Sequence, residues 1–213
     1  MVKGFDASHN NDPINWSIVD PAVQFVILKA TQGSGFKDPV FNSYWQHLKT
    51  TNLKRGAYHF LTASSTAQEQ ADNFLSLGIN FTNSGCLPPF LDVEDQVPAS
   101  LNSQITNNKP TFIQLITDWL NIIEEATGRK PIIYSYKNFF AEYLNNHSWP
   151  DNGLWLASYQ SQLPGLPKGY TKLDFWQYSE RGQINGLATG GEWDLDYYTG
   201  TPEQLNQLAN ITT

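Results

Sequence analysis

The sequence predicts an α/β fold: a reduced, irregular (β/α) barrel, TIM-like and mostly parallel, with its last strands joined by loops. Three observations lead there. Eight short apolar runs recur along the chain with little polar alternation, as strands buried on both faces read. Longer amphipathic stretches separate most of them, and alternating β and α implies a parallel sheet with helices outside. At 213 residues the chain is short for a barrel of eight full β/α units.

The runs, in order, are Gly4–Ala7, Phe25–Ala30, Gly56–Phe60, Pro89–Glu94, Pro131–Tyr136, Leu154–Ser158, Asp174–Tyr178 and Trp193–Asp196. After the second, Asp38-Pro39 offers an N-cap and a proline at the first helical position for a helix over Val40–Thr51. After the third, Thr66-Ala67-Gln68-Glu69 matches a capping box ahead of Ala71–Leu77. Between the fourth and fifth, Pro110–Thr127 carries apolar residues at helical spacing (Phe112, Leu115, Ile116, Trp119, Leu120, Ile122, Ile123), and Gly128 stands where a helix ends. Thr201-Pro202-Glu203-Gln204 opens a last helix with a second capping box. Few residues and poor helix signals separate the last three runs, so loops are expected there. An open doubly wound sheet is the alternative, but no glycine-rich phosphate loop follows the first strand. With no linker or internal repeat, residues 1–213 read as a single domain.

Composition excludes several partners. A net charge of −7 and a pI near 4.9 argue against nucleic acid, which needs a basic stripe, and against anionic membrane surfaces. No apolar stretch is long enough to span a bilayer. Cys86 is the one cysteine, so neither an internal disulfide nor a cysteine-based zinc site is possible. A monomer without a cofactor is expected. The start, Met-Val-Lys-Gly-Phe-Asp, lacks the apolar core of a signal peptide. The expectation is that the protein leaves the cell by another route or that a leader has been removed.

Barrels of this type carry their chemistry at the C-terminal ends of strands. The polar residues there are Asp6, Lys29, His59, Asp92 with Glu94, Tyr134 or Tyr136, Tyr159, Gln177, and Asp194 with Asp196. The acids are embedded in apolar runs, where an unpaired charge is costly. One such acid is accommodated by strand-end amides or by pairing with Lys29 or Arg55. Several converging on one mouth repel each other, a crowding tolerated mainly where it tunes acid–base chemistry. Asp92-Val93-Glu94 is the most informative triplet, because residues i and i+2 of a strand share a face. Two carboxyls there can divide labour as glycoside hydrolysis requires, one ionised and one protonated. His59 reads as a core histidine or a metal ligand, and the other histidines lack ligand spacing, so no metal is expected. Of Trp155, Trp176, Tyr178 and Trp193, one or two are expected to line the cleft.

These segments together resemble the family 25 glycoside hydrolases, the Chalaropsis-type lysozymes. The resemblance rests on Gly4-Phe5-Asp6-Ala7-Ser8-His9, Phe25-Val26-Ile27-Leu28-Lys29-Ala30-Thr31, Gly56-Ala57-Tyr58-His59-Phe60, Leu91-Asp92-Val93-Glu94, Pro131-Ile132-Ile133-Tyr134-Ser135, Leu154-Trp155-Leu156-Ala157-Ser158-Tyr159, Trp176-Gln177-Tyr178-Ser179 and Trp193-Asp194-Leu195-Asp196. They occur in the family's order and span nearly the whole chain. The resemblance implies a flattened barrel with an acidic groove and cleavage of the β-1,4 bond between N-acetylmuramic acid and N-acetylglucosamine in peptidoglycan glycan strands. It implies Glu94 as general acid and Asp92 as its partner, steadying a substrate acetamido group that acts as nucleophile. Asp6 and Asp194 match the other groove acids, and Tyr58, His59, Tyr134 and Trp155 match the substrate-contacting shell. Two positions depart: Gln32 stands where the family usually has Glu, and Asp196 where it often has Asn. Gln32 makes a catalytically weak wall-binding module the alternative. A chitinase is the other, although Pro88-Pro89-Phe90-Leu91 ahead of Asp92 lacks the acids of a chitinase strand.

Overall fold

The computed structural model describes residues 1–11, 13–96, 98–187 and 193–211. In chain order these hold β1 (Val2–Ala7), β2 (Val23–Gln32), β3 (Phe36–Lys37), α1 (Phe41–Leu48), β4 (Lys54–Phe60), α2 (Ala67–Leu75), β5 (Phe90–Asp92), α3 (Ser100–Asn107), α4 (Lys109–Thr127), β6 (Ile132–Tyr136), α5 (Lys137–Glu142), β7 (Gly153–Ala157), β8 (Phe175–Ser179), β9 (Asp194–Tyr198) and α6 (Pro202–Leu208).

The strands pair in the order β1-β2-β4-β5-β6-β7-β8-β9, and β9 returns to β1, so the sheet closes into an irregular barrel. Neighbours from β1 to β8 run parallel around this ring, while β9 is antiparallel to both β8 and β1. Among the described residues no helix lies between β8 and β9. A parallel return needs a crossover, usually helical; here the chain enters β9 directly from the mouth end. Asp194 and Asp196, expected at the C-terminal end of their strand, therefore stand at its beginning. β3, a short hairpin partner of β2, lies outside the ring.

Side chains alternate between two layers, as a pleated strand requires. The inner layer holds Phe25, Ile27, Phe90, Trp155 and Phe175. It is close-packed because glycines face it: a Cβ on Gly4 would lie 2.4 Å from the Phe25 ring, and one on Gly56 2.7 Å from Phe90. The outer layer places Val26, Leu28, Leu91, Ile133, Leu154 and Leu156 against the helices. α1 buries Phe41, Tyr44, Trp45 and Leu48, one stripe at helical spacing.

Thr66 and Glu69 form the expected capping box on α2, as do Thr201 and Gln204 on α6, and Gly128 closes α4 at φ 67°. Asp38 does not cap α1. The helix starts after Val40, which has no side-chain cap; the Asp38 carboxylate instead accepts from the Val40 amide (3.1 Å) and from His9. α3 and α5 leave little trace in the sequence: α3 buries one residue, Ile105, so it has no apolar period, and α5 is six residues long. Among the described residues no helix is long and apolar enough to cross a membrane.

Candidate active site

The inward positions at one end of the barrel open into a cavity of about 710 Å³. Counting by twos along each strand explains its lining. On β1, Phe5 faces out and Asp6 in; on β5, Leu91 faces out and Phe90 and Asp92 in, and Glu94 continues the inward series just past the strand. On β2 the inward series of Phe25 and Ile27 reaches Lys29. A register shift between Lys29 and Thr31 then inserts one residue, so Gln32 also faces the cavity. Lys29 Nζ donates to Gln32 Oε1 at 2.9 Å and lies 4.8 Å from the centre of the Phe60 ring. Tyr58, Tyr134, Tyr159, Gln177 and Asp194 complete the site among the residues expected there.

Gln177 organises one wall. Its Oε1 accepts from the Tyr134 hydroxyl (2.9 Å) and the Tyr159 hydroxyl (3.1 Å), and its Nε2 donates to Asp6 Oδ2 (2.8 Å). Tyr159 is half exposed and forms a rim, while Asp6 is buried.

The electrostatics follow from removing several carboxyls from water together. Burial pushes the Glu94 carboxyl up to about 7, with the Lys29 ammonium pulling the other way. Asp92 is also pushed well above the usual carboxylate range, first by burial and then by the charge of Glu94; Lys29 again opposes. Both are raised, and they titrate as a pair. Asp92 Oδ1 is buried without a donor among the described residues.

Two expected contacts lie elsewhere. His59 neighbours the inward Tyr58 on β4 and so points outward, fully buried. Its ring stacks on Trp119 (5.4 Å between centroids) and bonds Thr31 Oγ1 (2.7 Å) and Gln70 Oε1 (3.2 Å). Burial drives its pKa down to about 3, so it is a neutral core histidine. Trp155 faces inward but lies below the floor of the cavity, its Nε1 donating to Asp196 Oδ1 at 2.8 Å. Trp176 and Trp193 are outer-layer core, and Tyr178 stacks on Tyr197 (4.4 Å). The aromatic rings at the cavity are instead Tyr58, Phe60, Tyr134 and Tyr159. Ser8, His9, Asn10, Asn11 and Glu180 also line it. Ser8 and His9 belong to the first motif of the family resemblance, and all five follow the ends of β1 and β8.

A β/α barrel whose mouth gathers buried carboxyls of raised pKa beside a lysine and hydrogen-bonded tyrosines is the site of an acid–base glycoside hydrolase. Residues 5–187 match the glycosyl hydrolases family 25, and the chain belongs to that family. It is 30% identical over 220 residues to lysozyme M1 of Streptomyces globisporus, covering 99% of this chain and 72% of that protein. It is 28% identical over 217 residues to the N,O-diacetylmuramidase of a Chalaropsis species, covering 98% and 99%. The crystal structure of the bacterial lysozyme from Streptomyces coelicolor superposes with a TM-score of 0.89 at 29% identity, covering 100% of this chain and 98% of that one.

Proposed function

We propose that the protein is a peptidoglycan hydrolase of the muramidase type, cutting the β-1,4 bond between N-acetylmuramic acid and N-acetylglucosamine with retention of configuration. The observation that carries this reading is the Asp92–Glu94 pair, side by side on the inward face, with Glu94 near half-protonation at neutral pH. Glu94 donates its proton to the glycosidic oxygen. The substrate's own acetamido oxygen attacks the anomeric carbon from the opposite face, and the bond to the leaving sugar breaks. Asp92 accepts the acetamido N–H and balances the positive charge that forms on the cyclised group. That charge lowers the cost of keeping Asp92 ionised once Glu94 has given up its proton. Glu94, now a carboxylate, takes a proton from water as it opens the ring. Two inversions at the anomeric carbon give net retention. Asp6, Asp194, Tyr58 and Tyr134 shape the site around the sugar.

In this reading residues 1–213 form one catalytic domain, acting as a monomer on glycan strands of the bacterial wall without cofactor or nucleic acid. Mass spectrometry of fragments from purified walls tests it. Muramidase action leaves N-acetylmuramic acid at the new reducing ends. Reducing-end N-acetylglucosamine, or cleavage of chitin in preference to walls, refutes it.

A further inference from the structure

Below the cavity floor lies a second carboxyl that the chemistry does not use. Asp196 is fully buried, two residues deeper on β9 than Asp194. Its backbone pairs with Gly4 of β1 and Gln177 of β8, so its side chain sits beside that of Gln177 and one step beneath that of Asp6. Its Oδ1 accepts from Trp155 Nε1 at 2.8 Å. Its Oδ2 is buried without a donor among the described residues, and the carboxyl is within hydrogen-bond reach of the Asp6 carboxyl. Asp6 has one donor of its own, Gln177 Nε2 at 2.8 Å.

Two carboxylates in that geometry would leave buried oxygens facing each other across no proton, which is strongly unfavourable. A single proton between them turns the clash into an O–H···O hydrogen bond and supplies Oδ2 with its partner. The surrounding groups favour that solution. Asp194 on β9 and Glu94 across the cavity are acidic, and Tyr58 on β4 and Tyr178 on β8 are neutral at working pH. The nearby cation, Lys29 on β2, is bonded to Gln32 and acts on Asp92 and Glu94.

We propose that Asp196 is a positioning residue of the active site, sharing one proton with Asp6 and so clamping Asp6 and Gln177 against the cavity. The role assigned to the clamp rests on the muramidase reading; the shared proton does not. Burial, the first cause, pushes the Asp196 carboxyl up to about 8, which agrees with a proton retained at neutral pH. An asparagine here would accept from Trp155 and donate to Asp6 without needing that proton.

The test compares unfolding of the wild type and Asp196→Asn by urea between pH 5 and pH 7.5, alongside wall lysis by Asp196→Asn and Asp196→Ala. The unfolded carboxyl titrates near 4, so the raised folded value makes this stability complete at low pH and lost as pH rises toward about 8. One retained proton destabilises the wild type relative to Asp196→Asn by about tenfold in unfolding constant per pH unit over that range. The cavity acids other than Asp6 are common to both proteins and cancel in the difference, while Asp6, given the amide's donor in the variant, no longer needs the proton. Asp196→Ala is expected to lose lysis, and Asp196→Asn to restore it over Asp196→Ala. A pH-independent difference in stability overturns the shared proton. Equal lysis by Asp196→Ala and the wild type overturns the clamp. Should Asp196→Asn fail to fold, Asp6→Asn removes the same proton and is read by the same slope. A wild type that lyses no walls refutes the functional reading, while the slope still decides the proton.

Discussion

Replacing Glu94 by Gln keeps the size and shape of the side chain and removes its transferable proton. A glutamic acid at its ordinary value of 4.5 is protonated in about 1 molecule in 300 at pH 7, whereas one pushed up to about 7 is protonated in about half. The buried site thus multiplies the acid-competent fraction by roughly a hundred before any chemistry starts. General acid catalysis itself contributes about 10²–10⁴-fold. Glu94→Gln is therefore expected to lose about 10²–10⁴-fold in lysis rate, or about 3–5 kcal/mol of transition-state stabilisation. Because the amide is neutral, the fold should be kept and unfolding at neutral pH should be no easier than in the wild type. The assay is turbidity loss of purified walls from pH 4 to pH 9, with near-ultraviolet circular dichroism to verify the fold. The wild type should lose activity on the alkaline side as Glu94, pushed up to about 7, deprotonates. The residual activity of the variant should lack that limb. A folded Glu94→Gln protein lysing walls near the wild-type rate, or keeping the same alkaline limb, refutes the assignment.

Lys29→Met removes the cation that holds both Asp92 and Glu94 down, so the alkaline limb should move to higher pH; a shift to lower pH in the same turbidity profile contradicts this. His59→Phe keeps a ring against Trp119 and strands the partners Thr31 and Gln70, so it is expected to lose about 1–3 kcal/mol of stability in urea unfolding, with KM little changed. A changed KM at unchanged stability would return His59 to the substrate shell. Lysis should survive EDTA, since among the described residues no three His, Cys, Asp or Glu side chains are grouped to hold an ion; activity lost to EDTA and restored by a divalent cation overturns that.

Local chemistry made much of this protein legible from its sequence. Strand runs, capping boxes and the glycine after α4 are decided within a few residues by hydrogen bonding and side-chain period, and they reappear with small shifts of boundary. The pairing of Asp92 with Glu94 was legible for the same reason, since a two-residue period puts both on one face. The same period rules on His59. Tyr58 and His59 are adjacent on one strand, so they cannot both face the cavity, and the apolar stripe of α4 that brings Trp119 against the barrel claims His59 for the outer layer.

Other features depend on closure of the ring. The reversal of β9 turns strand-end acids into strand-start acids, and it separates Asp194 at the mouth from Asp196 beneath the floor. The depth of Trp155 follows from its neighbours on β6 and β8, and the partner of its indole comes from 41 residues away in the chain. The register shift on β2 turns Gln32 toward Lys29, although periodicity alone would have faced it outward. The sequence by itself determined which residues alternate and where helices begin and end, because those choices are settled by neighbours along the chain. Only the tertiary structure decided which side chains share buried space, and with it which carboxyls must share a proton, because burial and charge proximity are set by strands that meet only when the barrel closes.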